Sequence, residues 1–268
     1  MSVSHTNILA TIVAHKHHEL TQWQAELPFE YWLERVSPYP LEQAFTFERA
    51  LRVAHPRGYH LIGEIKPASP SEGRMQTALD VEGVVDVYDE AVSGFSVLTD
   101  QHFFGGGFDL LEQVRALTST PVLCKDFIID TYQVLLAKYS GANAGLLIMK
   151  CLDDVQYVTL FECLRSYGMT PVVEVQTLEE VQRALLTRPT VMLINNRNLE
   201  TFDIDFNTTH QLAKAIPEEV LVISASGIRH AQDVQALLPV CSSFLVGSSL
   251  MKAATLQAMK EQLHQLAP

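Results

Sequence analysis

The stretch Leu61-Ile62-Gly63-Glu64-Ile65-Lys66-Pro67-Ala68-Ser69-Pro70-Ser71-Glu72-Gly73 is an apolar run that ends in a Pro/Ser/Gly loop and delivers a carboxylate and an ammonium two residues apart. Side chains of an extended segment alternate faces, so Glu64 and Lys66 share one side and Ile65 takes the other. Taken alone, such a pair fits an exposed salt bridge on an edge strand or a strand that hands reactive groups to a loop. The rest of the chain decides between them.

From Tyr59 onward, short β-branched or apolar runs alternate with longer amphipathic segments. The runs are Tyr59 to Lys66, Phe95 to Thr99, Pro121 to Phe127, Gly145 to Lys150, Pro171 to Val175, Val191 to Asn195, Val220 to Ser224 and Phe244 to Gly247. Helical patterns follow them at Val81 to Ala91, Leu110 to Leu117, Thr131 to Tyr139, Val155 to Tyr167, Leu178 to Leu186, Thr208 to Ala215, Ala231 to Leu237 and Leu256 to Leu266. Alternation of this kind implies a parallel sheet covered by helices, with strands buried on both faces. Eight such units favour a closed (β/α)8 TIM barrel over an open doubly wound sheet. No GxGxxG or Walker pattern follows the first strand, which removes the main support for a dinucleotide or nucleoside triphosphate site.

Residues 1–58 read as a helical extension of the barrel, and residues 59–268 as the barrel itself, in one domain overall. Ile8, Leu9, Ile12, Val13, Leu20 and Trp23 fall at mostly helical spacing, which predicts an amphipathic helix from Ile8 to about Trp23. Within it, His15-Lys16-His17-His18 invites a metal reading, but only His15 and His18 share a face and no carboxylate completes a ligand set. The stretch is expected to be solvated helix surface. A second helix is expected from Leu41 to Val53.

A hydrophobic fraction of 47% with 19% charged residues is that of a folded globular protein. No apolar run is long enough to span a bilayer, and Met1 to Leu20 lacks the continuous apolar core of a signal peptide, so a cytoplasmic location is expected. The cysteines Cys124, Cys151, Cys163 and Cys241 lack CxxC spacing and suggest neither disulfides nor zinc. A formal net charge of -12 argues against general nucleic-acid binding, while an anionic small substrate remains compatible if a few cations gather in one pocket. The sequence carries no signal for an oligomeric state.

In this fold the active site lies at the C-terminal ends of the strands. Those ends carry Glu64, Lys66 and Ser69 after strand one, Lys125 and Asp126 after strand three, Glu174 in strand five and Asn195 after strand six. Strands seven and eight add Ser226-Gly227 and Gly247-Ser248. An ammonium or carboxylate in an apolar strand needs a partner or a task, and several converging on one rim favour a task. Loops after strands seven and eight of such barrels often bind phosphate through backbone N–H groups. The residues therefore point to a phosphorylated substrate anchored there, with chemistry carried by Lys and Glu on strands one, three and five.

Over nearly its whole length the chain resembles the indole-3-glycerol-phosphate synthase family of tryptophan biosynthesis. The resemblance rests on Gly63-Glu64-Ile65-Lys66 through Ala68-Ser69-Pro70-Ser71-Glu72-Gly73, Ser96-Val97-Leu98-Thr99-Asp100 leading to Phe104-Gly105, and Leu123-Cys124-Lys125-Asp126-Phe127. It continues through Gly141-Ala142-Asn143, Leu146-Leu147-Ile148, Val173-Glu174-Val175, Ile194-Asn195-Asn196-Arg197-Asn198-Leu199, Ser226-Gly227-Ile228 and Leu245-Val246-Gly247-Ser248-Ser249-Leu250. It implies ring closure, decarboxylation and dehydration of 1-(2-carboxyphenylamino)-1-deoxyribulose 5-phosphate, an anthranilate-derived small molecule, with no cofactor and no metal. It further implies that Lys125 is the acid of ring closure, Glu174 the base or electrostatic stabiliser, and that Glu64 and Lys66 assist in binding and dehydration. Ser226, Gly227, Gly247 and Ser248 would hold the phosphate with Lys66. Asn195 and Ser69 would position polar groups, and Leu98, Phe104, Phe127 and Leu146 would line the pocket for the aromatic ring.

Two positions depart from the family pattern. Ala225-Ser226-Gly227 stands where the family usually reads Glu-Ser-Gly, and Asn198 replaces a common aspartate. Ala225 supports an alternative reading, a catalytically impaired or specialised-pathway copy that binds a phosphorylated aromatic ligand. A further alternative is a Schiff-base aldolase that uses Lys125 or Lys150.

Overall fold

The computed structural model describes residues 8–75, 79–198 and 201–266. Eight strands, β1 (His60–Ile65), β2 (Gly94–Leu98), β3 (Val122–Lys125), β4 (Ala144–Ile148), β5 (Thr170–Val175), β6 (Val191–Asn195), β7 (Leu221–Ala225) and β8 (Ser243–Val246), form one closed parallel barrel. β1 closes the ring by pairing with β8, from His60 opposite Ser243 to Gly63 opposite Val246, and with β2 on its other edge. The predicted (β/α)8 architecture is therefore the observed one.

Strand periodicity sorts the side chains into two layers. Ile62, Leu123, Leu146, Val172, Leu193, Ile223 and Leu245 point inward and pack together in the barrel interior. Their neighbours, among them Leu61, Val122, Cys124, Val173, Met192 and Ile194, pack outward under the helices. A period of two thus builds both cores from one strand sequence.

Helices α4 (Val81–Asp89), α5 (Phe108–Leu117), α6 (Thr131–Tyr139), α7 (Asp154–Ser166), α8 (Leu178–Ala184), α9 (Asn207–Leu212), α10 (Ala231–Leu237) and α11 (Leu256–Leu266), numbered after three in the extension, cover the strands. Several start at side-chain caps. Asp80 accepts from Gly83 N–H, Thr177 from Glu180 N–H, and Asp130 and Asp153 form capping boxes with Gln133 and Gln156. Each such cap contributes about 1 kcal/mol and fixes where its loop ends.

The extension contributes α1 (Ile8–Glu26), α2 (Phe29–Leu33) and α3 (Thr46–Arg52). Leu9 and Ile12 of α1 join the interior cluster from the mouth of the barrel, whereas Phe47 and Leu51 of α3 join it from the opposite end. Phe47 is fully buried against the start of β2, where a side chain on Gly94 would meet its ring at 2.9 Å. Glu48 holds the same end, its N–H donating to Thr170 Oγ1 and its carboxylate accepting from Thr190 Oγ1 at 2.6 Å.

Two expectations for the extension need correction. The helix expected from Leu41 to Val53 begins only at Thr46, because Phe45 takes a left-handed conformation (φ 55°) and its N–H donates to Gly168 O rather than to a helical turn. The His15-Lys16-His17-His18 stretch is not uniformly solvated surface. His17 and His18 are exposed, but Lys16 is 0% exposed and shares the buried stripe Leu9, Ile12, Lys16 and Leu20. Its spacing of four residues from both Ile12 and Leu20 puts it on the apolar face whatever its charge. Among the described residues no cluster has the ligands of a metal site.

Since Phe47 plugs the barrel floor, Phe47→Ala should cost about 3–5 kcal/mol. Urea denaturation monitored by circular dichroism checks this, with the midpoint falling and the slope nearly unchanged.

Candidate active site

Where the inward series of the strands reach the C-terminal rim, their last members turn polar. Ile62 is followed by Glu64 and Lys66, Leu123 by Lys125, Val172 by Glu174 and Leu193 by Asn195. All five polar side chains line one cavity of about 340 Å³ at the barrel mouth. The edge-strand reading of the first pair is thereby excluded, since β1 has a hydrogen-bonded neighbour on both sides.

Two lysine–carboxylate pairs face each other across this cavity. Lys66 Nζ lies 2.8 Å from Glu64 Oε1, and Lys125 Nζ lies 3.7 Å from Glu174 Oε2. Asn195 Nδ2 donates to the other Glu174 oxygen at 3.0 Å and, through Oδ1, accepts from Arg197 N–H. Glu174 Oε2 itself is buried without a hydrogen-bond partner, so an unsatisfied acceptor points at the Lys125 ammonium. Burial alone would raise the Glu64 carboxyl, but the charges of Lys66 and Lys125, the hydrogen bond from Lys66 and the more distant Arg197 outweigh it and hold the group below the usual carboxylate range.

The far side of the cavity is built from turns. Ser226 (φ 69°) and Gly227 (φ 90°) are both left-handed, an uncommon conformation for serine. Buried Asn196 holds that turn: its Nδ2 donates to Ser224 Oγ, Ala225 O and Ser226 O, and its Oδ1 accepts from Thr209 Oγ1. Gly247, just after β8, is required by the neighbouring β1, because a Cβ there would stand 2.5 Å from Glu64 Oε1. Ser226, Gly227, Gly247, Ser248 and Ser69 all line the cavity.

The loop after β1 spans the mouth as a short antiparallel ribbon, Ala68–Ser69 with Gly73–Arg74. Ser71 Oγ accepts from Arg197 at 3.1 Å, and the Glu72 carboxylate lies 2.9 Å from Lys252 Nζ. Burial would raise Glu72, yet hydrogen bonds from Lys252 and Ser248 and the charges of Lys252 and Lys66 keep it below the ordinary range. Arg197, Glu72, Asn196 and Lys252 were not assigned from the sequence. Arg197 was legible in principle, two residues beyond Asn195, whereas Lys252 reaches the site only through the fold.

The apolar wall differs from expectation at one position. Leu98, Phe104 and Phe127 line the cavity, and the rings of Phe104 and Phe127 lie 5.9 Å apart. Leu146 does not reach the cavity; it is fully buried in the interior cluster, and Ile148, two residues further along the same inward face of β4, takes its place. Ile8, Leu9 and Ile12 of α1 complete this wall. Ala225 also opens onto the cavity, whereas Lys150 is exposed and is not part of the lining, which leaves the Schiff-base reading without its second lysine.

The depressed Glu64 carboxyl has a defined pH consequence. Stability contributed by its ionised form is present above the unfolded value of about 4.3 and is lost as pH falls through the lower folded value. Carboxyl-carbon NMR titration should place Glu64 below that unfolded value, and Lys66→Met should move the midpoint upward. An unmoved midpoint would show that Lys66 does not control this charge.

Residues 9–263 match the family model described as Indole-3-glycerol phosphate synthase. An Indole-3-glycerol phosphate synthase of Polaromonas naphthalenivorans is 38% identical over 250 residues, covering 92% of this chain and 95% of that protein. The Tryptophan biosynthesis protein TrpCF of Vibrio cholerae is 44% identical over 196 residues, and that of Yersinia pestis 40% over 238. The alignments cover 73% and 85% of this chain, which spans about half the length of these longer relatives, 42% and 50% respectively. A solved tryptophan synthase subunit alpha from Legionella pneumophila, 12% identical, superimposes with a TM-score of 0.62 over 82% of this chain and 96% of its own, a likeness of fold alone. With a family match across almost the entire barrel and its extension, the chain belongs to the indole-3-glycerol phosphate synthase family.

Proposed function

We propose that this chain converts 1-(2-carboxyphenylamino)-1-deoxyribulose 5-phosphate to indole-3-glycerol phosphate, carbon dioxide and water, as a cytoplasmic carboxy-lyase of tryptophan biosynthesis. The observation that carries the reading is the pair of lysine–carboxylate couples, Lys66 with Glu64 and Lys125 with Glu174, facing one cavity with an apolar wall on one side and Ser/Gly turns on the other. No described helix is long and apolar enough to cross a membrane.

The reaction needs a proton donor at the ketone oxygen as the ring attacks, and proton transfers during dehydration. Lys125 is the donor for ring closure. Glu174, held by Asn195, keeps that ammonium in place and stabilises the cationic intermediate before its carboxylate leaves as carbon dioxide. Lys66 and Glu64, 2.8 Å apart, act as a proton-exchanging couple for loss of the hydroxyl and as part of the substrate's binding surface. Ser226, Gly227, Gly247 and Ser248 hold the phosphate with Lys66, Ser69 orients the polar chain, and Leu98, Phe104, Phe127 and Ile148 receive the aromatic ring. The alternative of an impaired ligand-binding copy, drawn from Ala225, finds no support in the family match, and both couples are assembled.

Incubating the purified protein with the carboxyphenylamino-deoxyribulose phosphate and following indole fluorescence tests the proposal; absence of product would overturn it. Lys125→Met should lower kcat by about 10²–10⁴, the usual contribution of a general acid. Intact turnover in that variant would reassign the acid.

A further inference from the structure

Lys16 belongs to no part of the mechanism above, yet it is the most completely buried cation near the site. Its Nζ lies 2.7 Å from Glu19 Oε2, 2.9 Å from Asp100 Oδ2 and 3.1 Å from Asp126 Oδ1, and both aspartate side chains are fully buried. A buried ammonium among three carboxylates carries a desolvation cost that the attractions must outweigh, so it is poor evidence for stability as such. What the contacts do establish is a geometric junction.

Each aspartate ion-paired with Lys16 also fixes a segment that ends in the cavity. Asp100 Oδ1 accepts from Phe103 N–H at 2.7 Å, capping the turn of helix Gln101–Phe104 that presents Phe104. Asp126 Oδ1 accepts from Phe127 N–H at 2.7 Å, and its Oδ2 accepts from Thr99 Oγ1 at 2.8 Å, which ties the end of β3 to the end of β2. Asp126 is the immediate neighbour of Lys125. Lys16 itself rides on α1, one turn beyond Ile12, which with Leu9 roofs the same wall. One ammonium therefore meets the three segments that carry Ile12, Phe104 and Lys125-Asp126-Phe127.

We propose that Lys16 is a positioning residue, which holds the aromatic wall and the Lys125 strand end in register by bridging Asp100 and Asp126 from the covering helix. The assignment deepens the functional reading above and rests on it for its kinetic consequences. The residues proposed to hold the phosphate, Ser226, Gly227, Gly247, Ser248 and Lys66, are not among the carboxylate partners of Lys16, which are Glu19, Asp100 and Asp126. Loss of Lys16 should therefore impair use of the aromatic substrate without weakening binding of a bare phosphate.

Lys16→Met in the full chain tests this by kinetics, by inhibition with inorganic phosphate and by amide hydrogen exchange. Expected are a loss in kcat/KM of roughly tenfold to a hundredfold, as for misplacement of catalytic groups, and a phosphate inhibition constant within about twofold of wild type. Exchange at the Phe103 and Phe127 amides should accelerate by about tenfold or more, while that of Leu193 in β6 stays unchanged. Unaltered exchange at Phe103 and Phe127, or a phosphate constant that worsens in step with kcat/KM, would overturn the assignment. Should Lys16→Met fail to fold, Asp100→Asn reads the same junction, with faster exchange at both Phe103 and Phe127 supporting it and unchanged exchange at Phe127 overturning it. The exchange measurement needs no substrate. A wild-type protein that makes no indole product, with exchange at Phe103 and Phe127 still accelerated by Lys16→Met, would sink the functional reading and leave the junction standing.

Discussion

Pairing of β1 with β8 is the contact on which the other features depend. While the sheet is open, β1 and β8 carry unpaired edge N–H and C=O groups, and the inward side chains have no enclosed interior. Once His60 through Gly63 lie beside Ser243 through Val246, every strand has two neighbours and the inward residues form a closed core. Closure also brings the ends of β1, β3, β5 and β6 to one rim. Glu64 and Gly247 show how tight that junction is, since only a missing side chain just after β8 leaves room for the carboxylate on β1.

The extension makes a barrel into a pocket. It closes both ends of the interior, with Phe47 and Leu51 at the floor and Leu9 and Ile12 at the mouth. The two contacts differ in physical kind. The floor is apolar packing against strand starts, whereas the roof is pinned by the charged junction of Lys16 with Asp100 and Asp126. Packing tolerates small shifts in direction, whereas the ion pairs hold the ammonium at 2.9 and 3.1 Å from two carboxylates that themselves accept from Phe103 and Phe127 N–H. Burial would lower the Lys16 ammonium, and the two aspartates with Glu19 reverse this and raise it. Asp126 is itself raised, first by burial and also by Asp100, against the pull of Lys16.

A net charge of -12 and the proposed phosphorylated substrate are reconciled by local arrangement. Lys66, Lys125, Arg197 and Lys252 gather at the mouth, each 4.0 Å or less from a carboxylate of the lining itself. Their potential is focused within the low-dielectric walls of the pocket, while the excess negative charge is spread over the rest of the molecule. Glu72, bonded to Lys252 and Ser248, supplies an anion at the side where the phosphate is proposed to sit.

The alternation of apolar runs and amphipathic segments determined the architecture by itself, because each strand and helix signal is local and the number of units selects a closed ring. The same periodicity, continued to the strand ends, singled out Glu64, Lys66, Lys125, Glu174 and Asn195. It also had the information to place Lys16 on the buried face of α1 and Leu146 one layer below Ile148, had burial been weighed by position rather than by residue type. What the tertiary structure alone decided are contacts between segments far apart in the chain. Examples are Lys252 reaching Glu72, Asn196 locking the turn at Ser226, and Lys16 joining α1 to two aspartates more than eighty residues away. Such contacts depend on ring closure and on where α1 docks, and a local pattern carries no record of which distant groups will share one buried space.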